Sequence, residues 1–152
     1  MFETLQHSWL AHTVGESQML TASLSAVHLL GFTMVMGSAV LSNLRLTGLL
    51  LSEVPAIEVS RPATRALALG LLVSVVTGSL LFVPRAAGAA ANSTFRVKLS
   101  LILLAALTHF ALHQRIAARE PVSRGAARLV GIAGIALWLG VAVAACSFIL
   151  LE

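Results

Sequence analysis

Charge is scarce in this chain. Of its 152 residues only 11% are charged, aspartate is absent altogether, and there is one cysteine, Cys146. An ordinary soluble domain carries roughly 25% charged residues, so a surface this poor in charge cannot coat a globule in water. A lone cysteine closes no internal disulfide and supplies no CxxC or Cys/His zinc motif. The glutamates Glu3, Glu16, Glu53, Glu58, Glu120 and Glu152 all fall outside the apolar runs, so no nucleophile, base and acid set for hydrolytic catalysis can be assembled. Gly/Ser/Gln-rich and like-charge tracts are lacking too, which excludes disorder and coiled coil. What fills the chain instead is 58% hydrophobic residues, with a mean hydropathy of +0.94. That composition is an integral membrane protein of one domain.

A spanning helix needs about 20 predominantly apolar residues. Four such runs occur, at about 19–45, 64–83, 96–115 and 128–151. The first can continue as helix past Arg45 towards Leu51 before Pro55 stops it, and the second is opened by Arg61-Pro62 and closed by Pro84. The expected fold class is therefore all-α, a bundle of four transmembrane helices. Phe2, Leu5, Trp9 and Leu10 recur at helical spacing ahead of the first span, which predicts a short helix over 1–14 lying in the membrane interface. The N-terminus lacks the basic region of a cleavable signal, so the first span is expected to insert as itself.

The formal charge of +4 would suggest a nucleic-acid partner in a soluble protein. Here the basic residues stand at the ends of the spans, so no nucleic acid is expected and topology accounts for them. Arg45, Arg61, Arg65, Arg115, Arg119, Arg124 and Arg128 gather on one side, seven against the three of Arg85, Arg96 and Lys98 on the other. Because basic residues in short loops are retained on the cytoplasmic side, both termini are expected on the periplasmic face of a bacterial inner membrane.

Close packing of helices in lipid relies on small residues. Gly70, Ser74 and Gly78 repeat every four residues on the second span, and Gly131, Gly134 and Gly140 lighten the fourth. The simplest expectation for them is a plain bundle, with small-residue faces that also permit a homo-oligomer.

An ionisable side chain at the centre of a membrane costs at least about 2.5 kcal/mol on insertion scales, so each one needs a partner or a purpose. His28 lies on the first span, and His109 and His113, four residues apart and on one face, lie on the third. Two imidazoles from different helices are the usual axial ligands of a haem b inside a bundle, and Gly31, Ala105 and Ala106 remove bulk nearby. The competing expectation is that each histidine hydrogen-bonds a neighbour such as Ser25 or Thr108. Counting residues from the span centres, His28 is offset along the membrane normal by about 8 Å from His109 and about 14 Å from His113. Two separate sites are also allowed, with His7, His12 or another subunit supplying a missing ligand. Copper is a further candidate, since Met19, Met34, Met36, Cys146 and the histidines are ligand types it takes, although Met34 and Met36 stand about 160° apart on their helix.

The runs His28-Leu-Leu-Gly31, Asn43-Leu-Arg45-Leu-Thr-Gly48, Thr77-Gly78 with Leu80-Leu81-Phe82, and Phe95-Arg96-Val97-Lys98 followed by His113 resemble a bacterial family of small four-helix membrane proteins of unknown function. That family is similar in layout to membrane b-type cytochromes and copper-resistance D-type proteins. The resemblance covers roughly residues 15 to 115. It implies His28 and His113 as the functional pair, whereas the depth count favours His28 with His109. In such proteins the position of Asn43 is commonly aspartate and that of Thr47 commonly leucine, so this chain departs from the pattern there.

These readings combine into one expectation. The protein holds haem b through His28 and one or both of His109 and His113, with Arg96 and Lys98 beside the propionates or lipid head groups. It passes electrons between a quinone or a membrane dehydrogenase and a periplasmic redox partner, as an electron-transfer protein rather than a stand-alone enzyme. The alternative is a non-catalytic membrane subunit, or a copper-handling protein, whose histidines are structural or bind metal transiently. Arg45 is expected to snorkel to phosphate and fix orientation.

Overall fold

A computed structural model describes residues 9–118 and 123–150. All regular structure among them is helical. Helix α1 spans Trp9–Glu16, α2 Gln18–Thr47, α3 Ala56–Phe82, α4 Ala86–Ala91, α5 Ser93–Leu107, α6 Gln114–Ala117 and α7 Arg124–Leu150. A single 3-10 turn, Val83–Arg85, joins α3 to α4, and a π-helical segment, Thr108–His113, joins α5 to α6. Four continuous helical stretches are long and apolar enough to cross a membrane: Gln18–Thr47, Ala56–Ala91, Ser93–Ala117 and Arg124–Ser147.

Each boundary has a local cause. Ser17 caps α2, its hydroxyl accepting from the Leu20 amide at 3.2 Å. The far end of α2 stops at Gly48, whose φ of 77° is a left-handed conformation that glycine adopts without penalty. The amides of Gly48 and Leu49 close back on the carbonyls of Arg45 and Leu44. The expected continuation towards Leu51 therefore does not occur. Arg45 turns back over the following loop, Nε donating to the Val54 carbonyl at 2.6 Å and Nη2 to that of Ser52 at 3.2 Å. Its head group clasps its own loop.

Helix α3 begins before the position expected from Pro62, which lies inside it, and Pro55 occupies the cap. Pro84 does not end the helical run either. It falls in the first positions of the 3-10 turn, where a helical piece tolerates a missing amide best. The chain then stays helical to Ala91, and Asn92 alone separates α4 from α5, its Oδ1 accepting from the Thr94 amide at 2.8 Å. The segment expected as a turn-rich connection is thus largely helix. Phe82 and Phe95 stack across this corner, ring centroids 5.3 Å apart. Trp9 stands 77% exposed at the start of α1, while Phe2, Leu5 and His7 of the expected interfacial helix lie outside the described residues.

The outer faces are greasy. Leu30 is 71% and Val143 65% exposed, which in water would be an aggregation surface and in lipid is the solvated one. The interior is a narrow seam in which Val35, Ala39, Leu67, Ala105, Trp138 and Val141 are buried together, with Phe32, Met36 and Leu101 packed against them. Helices α2 and α3 cross where Gly31 meets Gly70. A Cβ on Gly70 would stand 2.7 Å from the Gly31 carbonyl oxygen, and one on Gly31 would stand 2.8 Å from Ser74 Oγ. Gly31 therefore brings two backbones together rather than clearing space for a porphyrin. The small-residue faces are used as expected at Gly70, Ser74 and Gly78, all against α2, and at Gly131 and Gly134. Gly140 meets only Leu101, at 3.9 Å.

Candidate functional site

The apolar seam is flanked by two polar clusters, one towards each end of the bundle. In the first, α3 presents Ser60 and Thr64 one turn apart, and the antiparallel third span presents His113 and His109 at matching levels. Ser60 Oγ lies 3.1 Å from His113 Nε2, and Thr64 Oγ1 lies 3.0 Å from His109 Nε2. The two imidazoles stack, with centroids 4.6 Å apart and planes 18° from parallel. Both sit on the π-helical segment, where the Gln114 amide reaches back five residues to the His109 carbonyl. Such local widenings of a helix recur at functional positions.

The direction of each hydrogen bond follows from what its partner can do. Asn43 Nδ2 donates to the Ala39 carbonyl at 2.8 Å, which leaves Oδ1 facing His113 Nδ1 at 3.3 Å. An amide oxygen only accepts, so His113 Nδ1 carries the proton and Nε2 accepts from the Ser60 hydroxyl. At His109, Gln114 Nε2 donates to Thr64 Oγ1, which leaves the Thr64 hydroxyl its own proton to direct at His109 Nε2. With that bond made, the proton of this neutral imidazole is on Nδ1, an atom that is buried and meets no partner among the described residues. A buried donor left in that condition costs about 1–3 kcal/mol. Helix α7 completes the cluster by what it lacks: a Cβ on Gly134 would collide with the Asn43 amide, and one on Gly131 would stand 2.8 Å from the Asn43 carbonyl oxygen.

The second cluster surrounds His28. Its Nδ1 lies 3.0 Å from Thr77 Oγ1, and that hydroxyl donates to the Val73 carbonyl at 2.7 Å. The ring packs over Gly78, where an added Cβ would stand 3.0 Å from Cε1. Lys98 of α5 acts on this histidine electrostatically and is half-buried, whereas Arg96 is exposed. Unlike His109 and His113, His28 is only half-buried.

The structure thus brings His109 and His113 together and keeps His28 apart from both. From Thr77, level with His28, to Thr64, level with His109, is 13 residues of α3, or about 20 Å. That is well beyond the offset counted from span centres, because helices in the bundle are slipped along their axes. The residues do not fit a haem held between two of these histidines. His28 is too far from either of the others, and His109 and His113 lie face to face with no gap for a macrocycle. Stacked rings also aim their nitrogens side by side rather than at a common point, and no group of three or more His, Cys, Asp or Glu side chains among the described residues is placed to hold a metal ion. Cys146 and Met19 are exposed on outer faces, and His12 pairs with Glu16 at 3.2 Å, away from both clusters.

The expected hydrogen-bond partners also change. Ser25 and Thr108 bond back to the carbonyls of Thr21 and Leu104. The histidines are served instead by Ser60, Thr64, Thr77 and Asn43. The signal that could have found them is spacing: Ser60 and Thr64 are four apart on one helix, as His109 and His113 are on its antiparallel neighbour.

A family model described as a family of unknown function, DUF6644, matches residues 1–150. No curated protein and no solved structure matches the chain.

Proposed function

The chain belongs to the DUF6644 family, and from its own residues we propose that it is a non-catalytic, multi-pass membrane subunit in which buried histidines fasten the helices to one another. The observation that carries this reading is His113: both ring nitrogens are engaged, one by Ser60 of α3 and the other by Asn43 of α2. A side chain so committed has no lone pair left for a metal or a haem iron. The basic ends at Arg45, Arg61, Arg65, Arg115, Arg124 and Arg128 favour insertion with both termini in the periplasm of a bacterial inner membrane. Purified in lipid nanodiscs and reduced with dithionite, the protein is expected to be colourless and free of stoichiometric metal, while His113→Ala lowers its unfolding temperature. Stoichiometric copper would favour a copper-handling role instead.

A second reading rests on His28, the intramembrane histidine that is half-exposed and is acted on by the charge of Lys98. A haem b held there would take its other axial ligand from a partner subunit or a second copy. Arg96 and Lys98 would lie beside its propionates, and electrons would pass between quinone and a periplasmic partner. Low-spin b-type bands in the reduced spectrum, abolished by His28→Ala and retained in His113→Ala, would establish this reading over the first.

A further inference from the structure

His109 and His113 are near copies of one arrangement, and they differ at one atom. Each faces an α3 hydroxyl at Nε2, and with those hydroxyls donating, each carries its own proton on Nδ1. The His113 proton meets Asn43 Oδ1. One turn back from Asn43 on α2 the residue is Ala39, fully buried and without an acceptor, and the His109 proton meets nothing from the protein among the described residues. His109 itself is 98% buried, its relative exposure being 2%.

The backbone of the same segment has a requirement of its own. Within the π segment the amides bond five residues back, as Gln114 does to His109. Returning to four-residue spacing in α6 necessarily leaves one carbonyl of this stretch outside the ladder. A water molecule is the ligand that answers a lone N–H donor and a lone carbonyl acceptor at once, since it accepts one bond and donates others.

We propose that a single resident water binds at His109, accepting from Nδ1–H and donating to a carbonyl released by the π turn. It stands where Asn43 stands for His113. The cluster then becomes a continuous chain of hydrogen bonds from Gln114 through Thr64 and His109 to solvent-like oxygen inside the bundle. The inference is independent of which reading of His28 holds.

Nuclear magnetic resonance of the full chain in nanodiscs, with 15N-labelled histidine assigned by comparison with His109→Gln, tests it. Expected are Nδ1–H tautomers at both His109 and His113, with a cross-peak to water from the His109 proton and none from that of His113. Ala39→Ser, which offers a protein hydroxyl on the same level, is expected to abolish the water cross-peak while the tautomer stays. An Nε2–H tautomer at His109, an Nδ1–H without water contact, or a cross-peak unchanged in Ala39→Ser would overturn the proposal. The first two are read on the wild-type chain and hold even if the variant fails to fold.

Discussion

His113 Nδ1 donates to Asn43 Oδ1 over 3.3 Å, across seventy positions of sequence. With Ser60 on its other nitrogen, one imidazole ties the first, second and third spans at a single level. Gly134 admits the Asn43 amide from the fourth span. All four spans therefore meet at one polar joint, near the end of the bundle where the arginines gather.

Removing one member of that joint should strand the other. Asn43→Leu or His113→Leu is each expected to destabilise the protein by about 1–3 kcal/mol, the usual cost of an abandoned buried polar group. The double variant is expected to cost less than the sum of the two, with a coupling of at least about 0.5 kcal/mol. Reversible unfolding in bicelles measures all three. Strict additivity would mean that the bond contributes nothing.

The fourth span provides a contrast between glycines. Gly134→Ala places a methyl against the Asn43 amide and should cost about 1–3 kcal/mol through overpacking. Gly140→Ala meets only Leu101 at ordinary contact distance and should be neutral or stabilising by up to about 1 kcal/mol, since alanine favours helix over glycine. Equal effects at the two sites would show that helix propensity, not the niche, governs the response.

The four spans could be read from hydropathy because lipid imposes one rule on every exposed face, whatever lies inside. His109 and His113 could be placed on one face from their spacing alone. Axial slip between helices could not be read, and it separates His28 from His109 by about 20 Å, since apolar helices offer no sequence code for register comparable to a charged heptad. Nor could the role of Pro84. A proline stops a helix or starts a new helical piece, and which it does depends on whether the amide it lacks would have been bonded. Hydroxyl partners were hidden for a similar reason. Most Ser and Thr in these helices bond their own backbone, as Ser25, Thr33 and Thr108 do, and only the third dimension shows that Ser60 and Thr64 face imidazoles instead.

Orientation in the membrane is open to a direct labelling experiment. In a Cys146→Ser background, Ala91→Cys at the end of α4 and Ser123→Cys before α7 both occupy exposed positions. A membrane-impermeant maleimide applied to spheroplasts is expected to label the first and to reach the second only after lysis, as the basic-residue bias requires. The opposite pattern would invert the topology and put both termini in the cytoplasm.

The crossing of α2 and α3 depends on glycines whose neighbours are backbone rather than flexible side chains. A methyl on Gly70 would press on the Gly31 carbonyl and on the Val35 amide, which it would meet at 3.0 Å, and neither can rotate away. Gly70→Ala should therefore push the two helices apart and cost about 1–3 kcal/mol or more. Gly37→Ala, on the open side of α2 with nothing within 4 Å, should be neutral or stabilising by up to about 1 kcal/mol, since alanine favours helix over glycine. Because Gly70 lies between Thr64 and Thr77 on α3, the same displacement should disturb both histidine clusters. Imidazole resonances of His28 and His109 are expected to shift in Gly70→Ala and to stay in place in Gly37→Ala. A Gly70→Ala variant with unaltered histidine spectra and stability would mean that the close approach of the two backbones does not set the spacing of the bundle.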